Sequence, residues 1–336
     1  MSSLHPYSRT ALPAVLLLAA IATPSAATIV VDSEGFESPR FVAGSIEGQD
    51  GWVSSGTQTG SPSTAVVQST DVFAGSNALL VDRPGGSERF WAKPIPDGPT
   101  GRFTYIDWRM KVEQVAMPTG FGPFMGVVAF DASSSIAFVA SLFVDGSTGD
   151  IVYQQAGTGF YLETGAIAQF DAWIHYTIEL DYQLDEYTVF ADAIPLVTSR
   201  FIDDPLIEVD RITDADIATR PAGLDPVSSA ATTSAVFDNF VVRDGLRGDY
   251  NDDGQVDAAD YTVWRDELGQ VGFGLAADGD ASGTVGPEDY QVWLRDFGRS
   301  NALAAAAAVP EPAAVIVALM ALAAYRPLRC VPVKKA

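Results

Sequence analysis

Residues 173–192, WIHYTIELDYQLDEYTVFAD, decide the fold class of this 336-residue chain. Apolar and polar side chains alternate along the first half, where Ile178 and Leu180 alternate with Thr177 and Glu179. A period of two residues is typical of a β-strand with one buried and one solvated face. A tight turn and a second alternating run follow, so the stretch predicts an antiparallel hairpin.

The same pattern extends over most of the chain. Residues 104–112 alternate in the same way, and Gly- and Pro-rich turns separate the short runs. Many short strands between residues 28 and 243 favour a two-sheet β-sandwich or jelly roll. We predict strands at 28–32, 64–68, 78–82, 88–92, 103–112, 124–130, 136–144, 173–181, 187–192, 207–212 and 235–242.

Two stretches of this region carry a family resemblance. The Trp-led hairpin at 173–192 resembles that of concanavalin A-like and laminin-G-like domains, and the run 237–242 is similar to their last strand. The resemblance implies an all-β jelly-roll sandwich at 28–243. Members of these families bind carbohydrates or proteins, or hydrolyse glycans.

The hydrolases among these families carry Glu-x-Asp-x-Glu on one strand. Glu179 and Asp181 match the first two positions, but Gln183 stands at the third, so the acid/base carboxylate is missing. The simpler expectation is that these side chains form the solvated face of the strand. We therefore predict no catalytic residue and keep Glu179 and Asp181 as the candidates for the alternative, a glycoside hydrolase.

Histidine and tryptophan side chains, which serve in many active and sugar-binding sites, have structural roles as the first expectation. His175 is the lone histidine after residue 27, and we expect it on the same solvated face. Large aromatic rings can stack on sugars, but core packing is the expectation for each tryptophan of this region. These are Trp52, Trp91, Trp108 and Trp173.

Composition narrows the classes of function. The chain is 47% hydrophobic, which excludes disorder for most of it, and its formal net charge is −23. Such an acidic protein repels phosphate backbones, so no nucleic-acid partner is expected. The single cysteine, Cys330, excludes a disulfide or a cysteine-ligated zinc site in the rest of the chain.

The strongest chemical signal is a duplicated acidic segment, DYNDDGQVDAAD at 249–260 and DGDASGTVGPED at 278–289. A loop around Ca²⁺ presents oxygens at positions 1, 3 and 5, a turn-forming glycine at 6, a carbonyl at 7 and a carboxylate at 12. The predicted ligands are Asp249, Asn251, Asp253, the Gln255 carbonyl, Asp257 and Asp260 in the first segment, and Asp278, Asp280, Ser282, the Thr284 carbonyl and Asp289 in the second. We predict two Ca²⁺ sites, with tighter binding in the first because it has four carboxylates against three.

A short amphipathic helix is predicted after each segment, at 260–269 and 289–298. Each helix carries an aromatic stripe on one face, so the two helices are expected to pack against each other. This repeat of a loop and a helix resembles the type I dockerin over residues 246–299. The resemblance implies a module whose folding depends on calcium and a cohesin-like protein as its partner.

The N-terminal residues 1–27 are typical of a secretory signal peptide. Arg9 precedes an apolar run at 14–22, Pro24 follows it, and small residues at 25–27 suit a signal peptidase. A run this short favours export over a membrane anchor.

The C-terminus has the opposite order of parts. An Ala-rich spacer at 300–308 precedes Pro310-Glu311-Pro312, an apolar stretch at 313–324 and a basic end. This order resembles the PEP-CTERM sorting signal, assigned to 309–336. The resemblance implies transient insertion of a hydrophobic helix into the membrane and processing by an exosortase-type protease; a plain C-terminal anchor is the alternative.

Together these features predict an exported, calcium-binding, non-catalytic protein of the cell surface or extracellular matrix. Its β-sandwich is expected to bind polysaccharide or another matrix component. Two alternatives remain open: a glycoside hydrolase, and a structural or scaffolding protein held to a partner by its dockerin-like module.

Overall fold

The computed structural model describes residues 28–302, except for 57–60, 87, 96–97, 117–119, 134–135, 208 and 224. The predicted signal peptide, the sorting signal and most of the spacer at 300–308 lie outside the described residues. Within the described part of the chain, no helix is long and apolar enough to cross a membrane.

Sixteen strands occur in the described residues and pair into two antiparallel sheets. In chain order they are β1 (Thr28–Asp32), β2 (Gly44–Ser45), β3 (Val53–Ser55), β4 (Thr64–Gln68), β5 (Ala78–Arg83), β6 (Arg89–Ala92), β7 (Phe103–Val112), β8 (Phe124–Asp131), β9 (Ala137–Asp145), β10 (Asp150–Gln154), β11 (Tyr161–Ile167), β12 (Ile174–Asp181), β13 (Glu186–Ala191), β14 (Ile194–Arg200), β15 (Asp214–Arg220) and β16 (Thr233–Asp244). The first sheet runs β14-β13-β12-β7-β16-β5-β4-β2, with β1 paired to β16, and the second runs β11-β10-β9-β8-β15-β6-β3. The predicted all-β sandwich of two sheets is therefore confirmed.

Alternate residues of the central strands fill the space between the sheets. Ile106 and Met110 of β7 belong to one buried apolar cluster with Met125 and Val127 of β8. The tryptophans Trp52, Trp91 and Trp108 are fully buried in the same cluster. Core packing is thus confirmed for these three. Trp173 is half-buried instead and meets the ring of Phe73.

The strand predicted at 207–212 is wrong. Its described residues form no strand, although Val209 and Ile212 are buried, because a loop can deliver apolar side chains to the core without pairing. The strand in this part of the chain is β15. Its outward residues include Asp214 and Asp216, so its composition does not resemble that of a buried strand.

Six strands occur that the sequence pattern does not predict: β2, β3, β10, β11, β14 and β15. Four of these, all except β10 and β15, lie at the ends of the two sheets. Edge strands are short or exposed on both faces, so they show little contrast between buried and solvated positions.

The described residues also contain three α-helices, α1 (Pro226–Ala230), α2 (Ala258–Glu267) and α3 (Pro287–Asp296). We call residues 246–302 the C-terminal module. It packs on the outer face of the first sheet, where Tyr105 of β7 contacts a cluster that includes Leu246 and Val256. Asn301 fastens the end of the module, since its side-chain oxygen accepts from the backbone N–H of Phe103 at 3.1 Å.

Candidate functional site

Two acidic loops dominate the C-terminal module, loop 1 (residues 249–260) and loop 2 (residues 278–289). Gly254 and Gly283 occupy the sixth position with φ of +83° and +81°, a left-handed conformation that glycine adopts without strain. The fourth residues, Asp252 and Ala281, are also left-handed, with φ of +58° and +54°. The two loops therefore share one backbone path as well as one sequence pattern.

Loop 1 turns its carboxylates towards its own backbone. Asp249 accepts hydrogen bonds from the N–H groups of Asp253 (3.0 Å) and Gly254 (2.7 Å). Asp260 accepts from the N–H groups of Asn251 (3.0 Å) and Asp257 (2.8 Å). The first and twelfth side chains thus point to the centre of the loop.

Loop 2 repeats this arrangement and draws its carboxylates closer together. Asp278 accepts from Ser282 N–H at 2.9 Å, and Asp289 accepts from Asp280 N–H at 3.1 Å. Carboxylate oxygens of Asp278, Asp280 and Asp289 lie within 4.8 Å of one another, and among the described residues no other site gathers three acidic groups so closely. Such a set of oxygens suits a hard cation.

The remaining predicted ligands have contacts of other kinds. Asp257 lies at the N-terminus of α2 and caps it by accepting from Ala259 N–H at 2.6 Å. The Ser282 hydroxyl donates to the carbonyl of Thr284 at 3.1 Å. Asp253, Asn251 and Gln255 are exposed at the rim of loop 1. Metal binding would therefore require these rim groups to exchange partners.

Burial, together with crowding of negative charge, raises the pKa of carboxyl groups in both loops. Burial, joined by repulsion from Asp260 and Asp253, raises the pKa of Asp249 to about 6. Burial and repulsion from Asp280 likewise raise the pKa of Asp278 to about 7 and that of Asp289 to about 6. A cation would relieve this repulsion, so the oxygen-only donor set of each loop fits Ca²⁺.

The two halves of the module interlock through reciprocal contacts. The indole N–H of Trp264 on α2 donates to the carbonyl of Gly286 in loop 2 at 2.8 Å. The indole N–H of Trp293 on α3 donates to the carbonyl of Asp257 in loop 1, also at 2.8 Å. Rings of the two helices meet as the sequence predicts, with the centroids of Trp264 and Tyr290 5.2 Å apart. Each loop is therefore held by the opposite helix.

The C-terminal module covers the face of β12 that was expected to be solvated. Glu179 forms an ion pair with Arg299 of the module at 2.6 Å, and Asp181 forms one with Arg102 at 2.7 Å. The expectation for His175 is also wrong, since it is 4% exposed and bonded to Asp107 at 3.0 Å. Glu179 and Asp181 are thus held in ion pairs, Glu179 with a residue of the module and Asp181 with Arg102.

A groove of about 390 Å³ lies on the outer face of the second sheet, away from the module. Three aromatic side chains line it, Phe90, Phe130 and Phe138. Their rings form a continuous row, with centroids 5.7 Å and 4.7 Å apart. Phe90 and Phe138 are half-buried and Phe130 is 8% exposed, so the two outer rings of the row supply most of its accessible surface.

Charged groups from β15 and its neighbours complete this groove. Asp214 and Asp216 project from alternate positions of β15, and Arg220 pairs with Glu88 at 2.5 Å. One carboxylate oxygen of Asp214 and one of Asp216 has no hydrogen-bond partner within the described residues. Burial, with repulsion from neighbouring carboxyl groups, raises the pKa of Asp214 to about 6 and that of Asp216 well above its ordinary value.

The groove residues were not predicted from the sequence as functional residues. The signal available was the run Asp214-Ala215-Asp216-Ile217, in which carboxylates alternate with apolar residues at the period of a strand. A strand predicted there would have placed both carboxylates on one face. The aromatic row could not be found in this way, because Phe90, Phe130 and Phe138 come from three different strands.

Comparison with protein-family models gave no match to this sequence, and comparison with curated proteins gave none. Among solved structures, the chain is similar to the cellulose-induced protein Cip1, with 11% identity, a TM-score of 0.43 and coverage of 60% of this chain and 96% of that one. A carbohydrate esterase of Shiga toxin-encoding bacteriophage phi24B shows 16% identity, a TM-score of 0.46 and coverage of 65% and 98%. An alginate lyase of Aplysia kurodai shows 11% identity, a TM-score of 0.38 and coverage of 53% and 86%. The fold described above rests on the strand pairing of this chain itself.

Proposed function

We propose that this chain is an exported, calcium-binding, non-catalytic protein that binds extracellular polysaccharide in the groove of the second sheet. The observation that carries the proposal is the row of Phe90, Phe130 and Phe138 beside the carboxyl groups of Asp214 and Asp216. Sugar rings offer apolar faces that stack on aromatic rings and hydroxyl groups that donate to carboxylates. A binding groove with mostly apolar walls and few polar groups combines these two features.

The charges of the groove favour a neutral polymer. Asp214, Asp216 and Glu88 face a single cation, Arg220, which Glu88 already neutralises. A polyanionic polysaccharide would meet repulsion from the acidic groups of this groove. Neutral sugars avoid that repulsion, and their hydroxyl groups donate to carboxyl oxygens that line a groove of this kind.

Depletion assays with insoluble polysaccharides test this proposal. The full chain, in calcium, is mixed with cellulose, xylan, mannan and chitin, and with calcium alginate as the polyanionic comparison. We expect depletion by at least one neutral polymer and about tenfold weaker binding in Phe138→Ala and in Asp216→Asn. Phe297→Ala is the matched control, because Phe297 is exposed on the module and remote from the groove. Depletion by none of the neutral polymers, or equal loss in the control, contradicts the proposal.

The C-terminal module supports a second candidate function, a scaffolding role with a cohesin-like protein partner. Leu268, Leu294 and Phe297 lie on or next to α2 and α3 and are each about half exposed, at 51%, 52% and 53%. Exposed apolar side chains of this size favour a protein contact. A calcium-dependent complex that survives Phe138→Ala but is lost in Leu294→Asp would favour this role over polysaccharide binding.

The hydrolase alternative keeps Glu179 and Asp181 as its candidates, and both form ion pairs, with Arg299 and Arg102. It predicts release of reducing sugar from a polysaccharide, and Glu179→Gln should abolish this activity.

Export and sorting complete the proposal. Mass spectrometry of the secreted protein should find cleavage after residue 27 and near Pro310-Glu311-Pro312, while an intact C-terminus would favour the plain anchor.

A further inference from the structure

The two loops match in sequence but differ in their surroundings. The first residue is buried in both loops, with Asp249 2% and Asp278 6% exposed. The third residue differs, because Asn251 of loop 1 is exposed whereas Asp280 of loop 2 is only 8% exposed. The β-sandwich therefore covers the third position of loop 2 and leaves that of loop 1 open to solvent.

Strand β16 supplies part of this cover through hydrogen bonds to the backbone of loop 2. Arg243 donates from Nη2 to the carbonyl of Asp278 at 3.1 Å. Asn239 donates from Nδ2 to the carbonyl of Ala281 at 3.2 Å. Loop 2 is thus attached to the sandwich on both sides of its third residue.

Strand β7 supplies the contact that matters for metal binding. The guanidinium of Arg109 lies 3.1 Å from Oδ2 of Asp280, the third residue of loop 2, and both side chains are largely buried. The ring of Phe73, 4.7 Å from the guanidinium carbon, supports Arg109 from the other side. Within the described residues, no arginine or lysine forms an ion pair with a carboxylate of loop 1.

We propose that Arg109 lowers the calcium affinity of loop 2 and so makes it the weaker of the two calcium sites. This inference rests on the proposed calcium binding of the loops. The guanidinium competes for an oxygen that a cation in loop 2 would use, and its positive charge repels a divalent ion. In the absence of calcium it balances part of the negative charge of loop 2 and joins the loop to β7. Calcium binding in loop 2 therefore weakens the ion pair between Arg109 and Asp280. By reciprocity, the ion pair weakens calcium binding to the same extent.

Calcium titration of the full chain by isothermal titration calorimetry tests the inference. We expect two binding events, of which Asp280→Asn abolishes the weaker. Arg109→Gln should tighten the weaker event about tenfold and leave the stronger one unchanged. Arg109→Lys, which keeps the charge, should stay close to the unaltered protein.

Lys111→Gln is the matched control, because it also removes one positive charge from β7. Lys111 pairs with Asp71 of the sandwich and not with loop 2. Thermal unfolding in saturating calcium verifies that Arg109→Gln is folded. The inference is overturned if both sites share one affinity, if Asp249→Asn abolishes the weaker event, or if Arg109→Gln fails to tighten it. If calcium binds with affinities that Arg109→Gln does not change, only the inference about Arg109 is overturned. If no calcium binds at all, the proposed calcium binding is overturned as well.

Discussion

Removal of the Arg247 guanidinium should destabilise the protein more than any surface substitution. Arg247 is 1% exposed and donates to Oδ1 of Asp107 at 2.8 Å, where the module meets the first sheet. Thr177 and His175 bond to the same oxygen, at 2.6 Å and 3.0 Å. Burial acts to raise the pKa of Asp107, but Arg247 and His175 hold it below its ordinary value, so the carboxylate is ionised in the folded protein.

The size of the effect follows from this burial. Arg247→Ala leaves the ionised Asp107 in the interior without its counter-charge, a change that costs about 3–5 kcal/mol. For a folded region of this size, 1 kcal/mol shifts the melting temperature by a little under about 2 °C, so a decrease of about 5–9 °C is expected. Arg265→Ala is the matched control, because the pair of Arg265 with Asp266 is exposed and contributes at most about 1 kcal/mol.

Differential scanning calorimetry of the two variants measures the effect. The double variant Asp107→Leu/Arg247→Met should recover at least half of the loss, since it removes both buried charges together. Melting of Arg247→Ala within about 2 °C of Arg265→Ala would refute the reasoning. Failure of the double variant to recover stability would show that the loss in Arg247→Ala does not come from the unpaired charge of Asp107.

Three further predictions concern the loops and the groove. When free calcium is at a hundredfold excess over Kd, each occupied site adds about 2.7 kcal/mol to the free energy of unfolding, and chelation should remove this amount. An unchanged melting temperature in the presence of a chelator would count against calcium binding. Trp264→Phe removes the hydrogen bond to Gly286 and should destabilise the module by about 1 kcal/mol, measured by urea unfolding against the control Tyr261→Phe. Burial raises the pKa of Asp214 from 3.8 in the unfolded chain to about 6 in the folded protein, so the folded protein holds this proton more tightly. The protonated carboxyl therefore contributes to stability fully below pH 3.8, and this contribution is lost as the pH rises through 6. Asp214→Asn should therefore show a smaller decrease in melting temperature between pH 4 and pH 7 than the unaltered chain, and an equal decrease would refute the assignment.

Local pattern was sufficient for part of the fold. The alternation in residues 103–112 predicts β7 with its observed bounds, and the hairpin at 173–192 corresponds to β12 and β13. A helix was also expected after each acidic segment, where α2 and α3 lie. These features depend on periodicity and spacing within a few residues of one another, and a sequence displays both directly.

The sequence by itself determined which side chains lie together locally: Glu179 and Asp181 on one face of a strand, and Asp278, Asp280 and Asp289 in one loop. Only the tertiary structure decided what covers each group. It places Arg299 on Glu179 and Arg109 on Asp280, and it leaves the groove beside Asp216 open. The physical reason is that burial and charge pairing arise between segments far apart in the chain. Whether such segments meet depends on the packing of the whole sandwich, and no local sequence pattern predicts it.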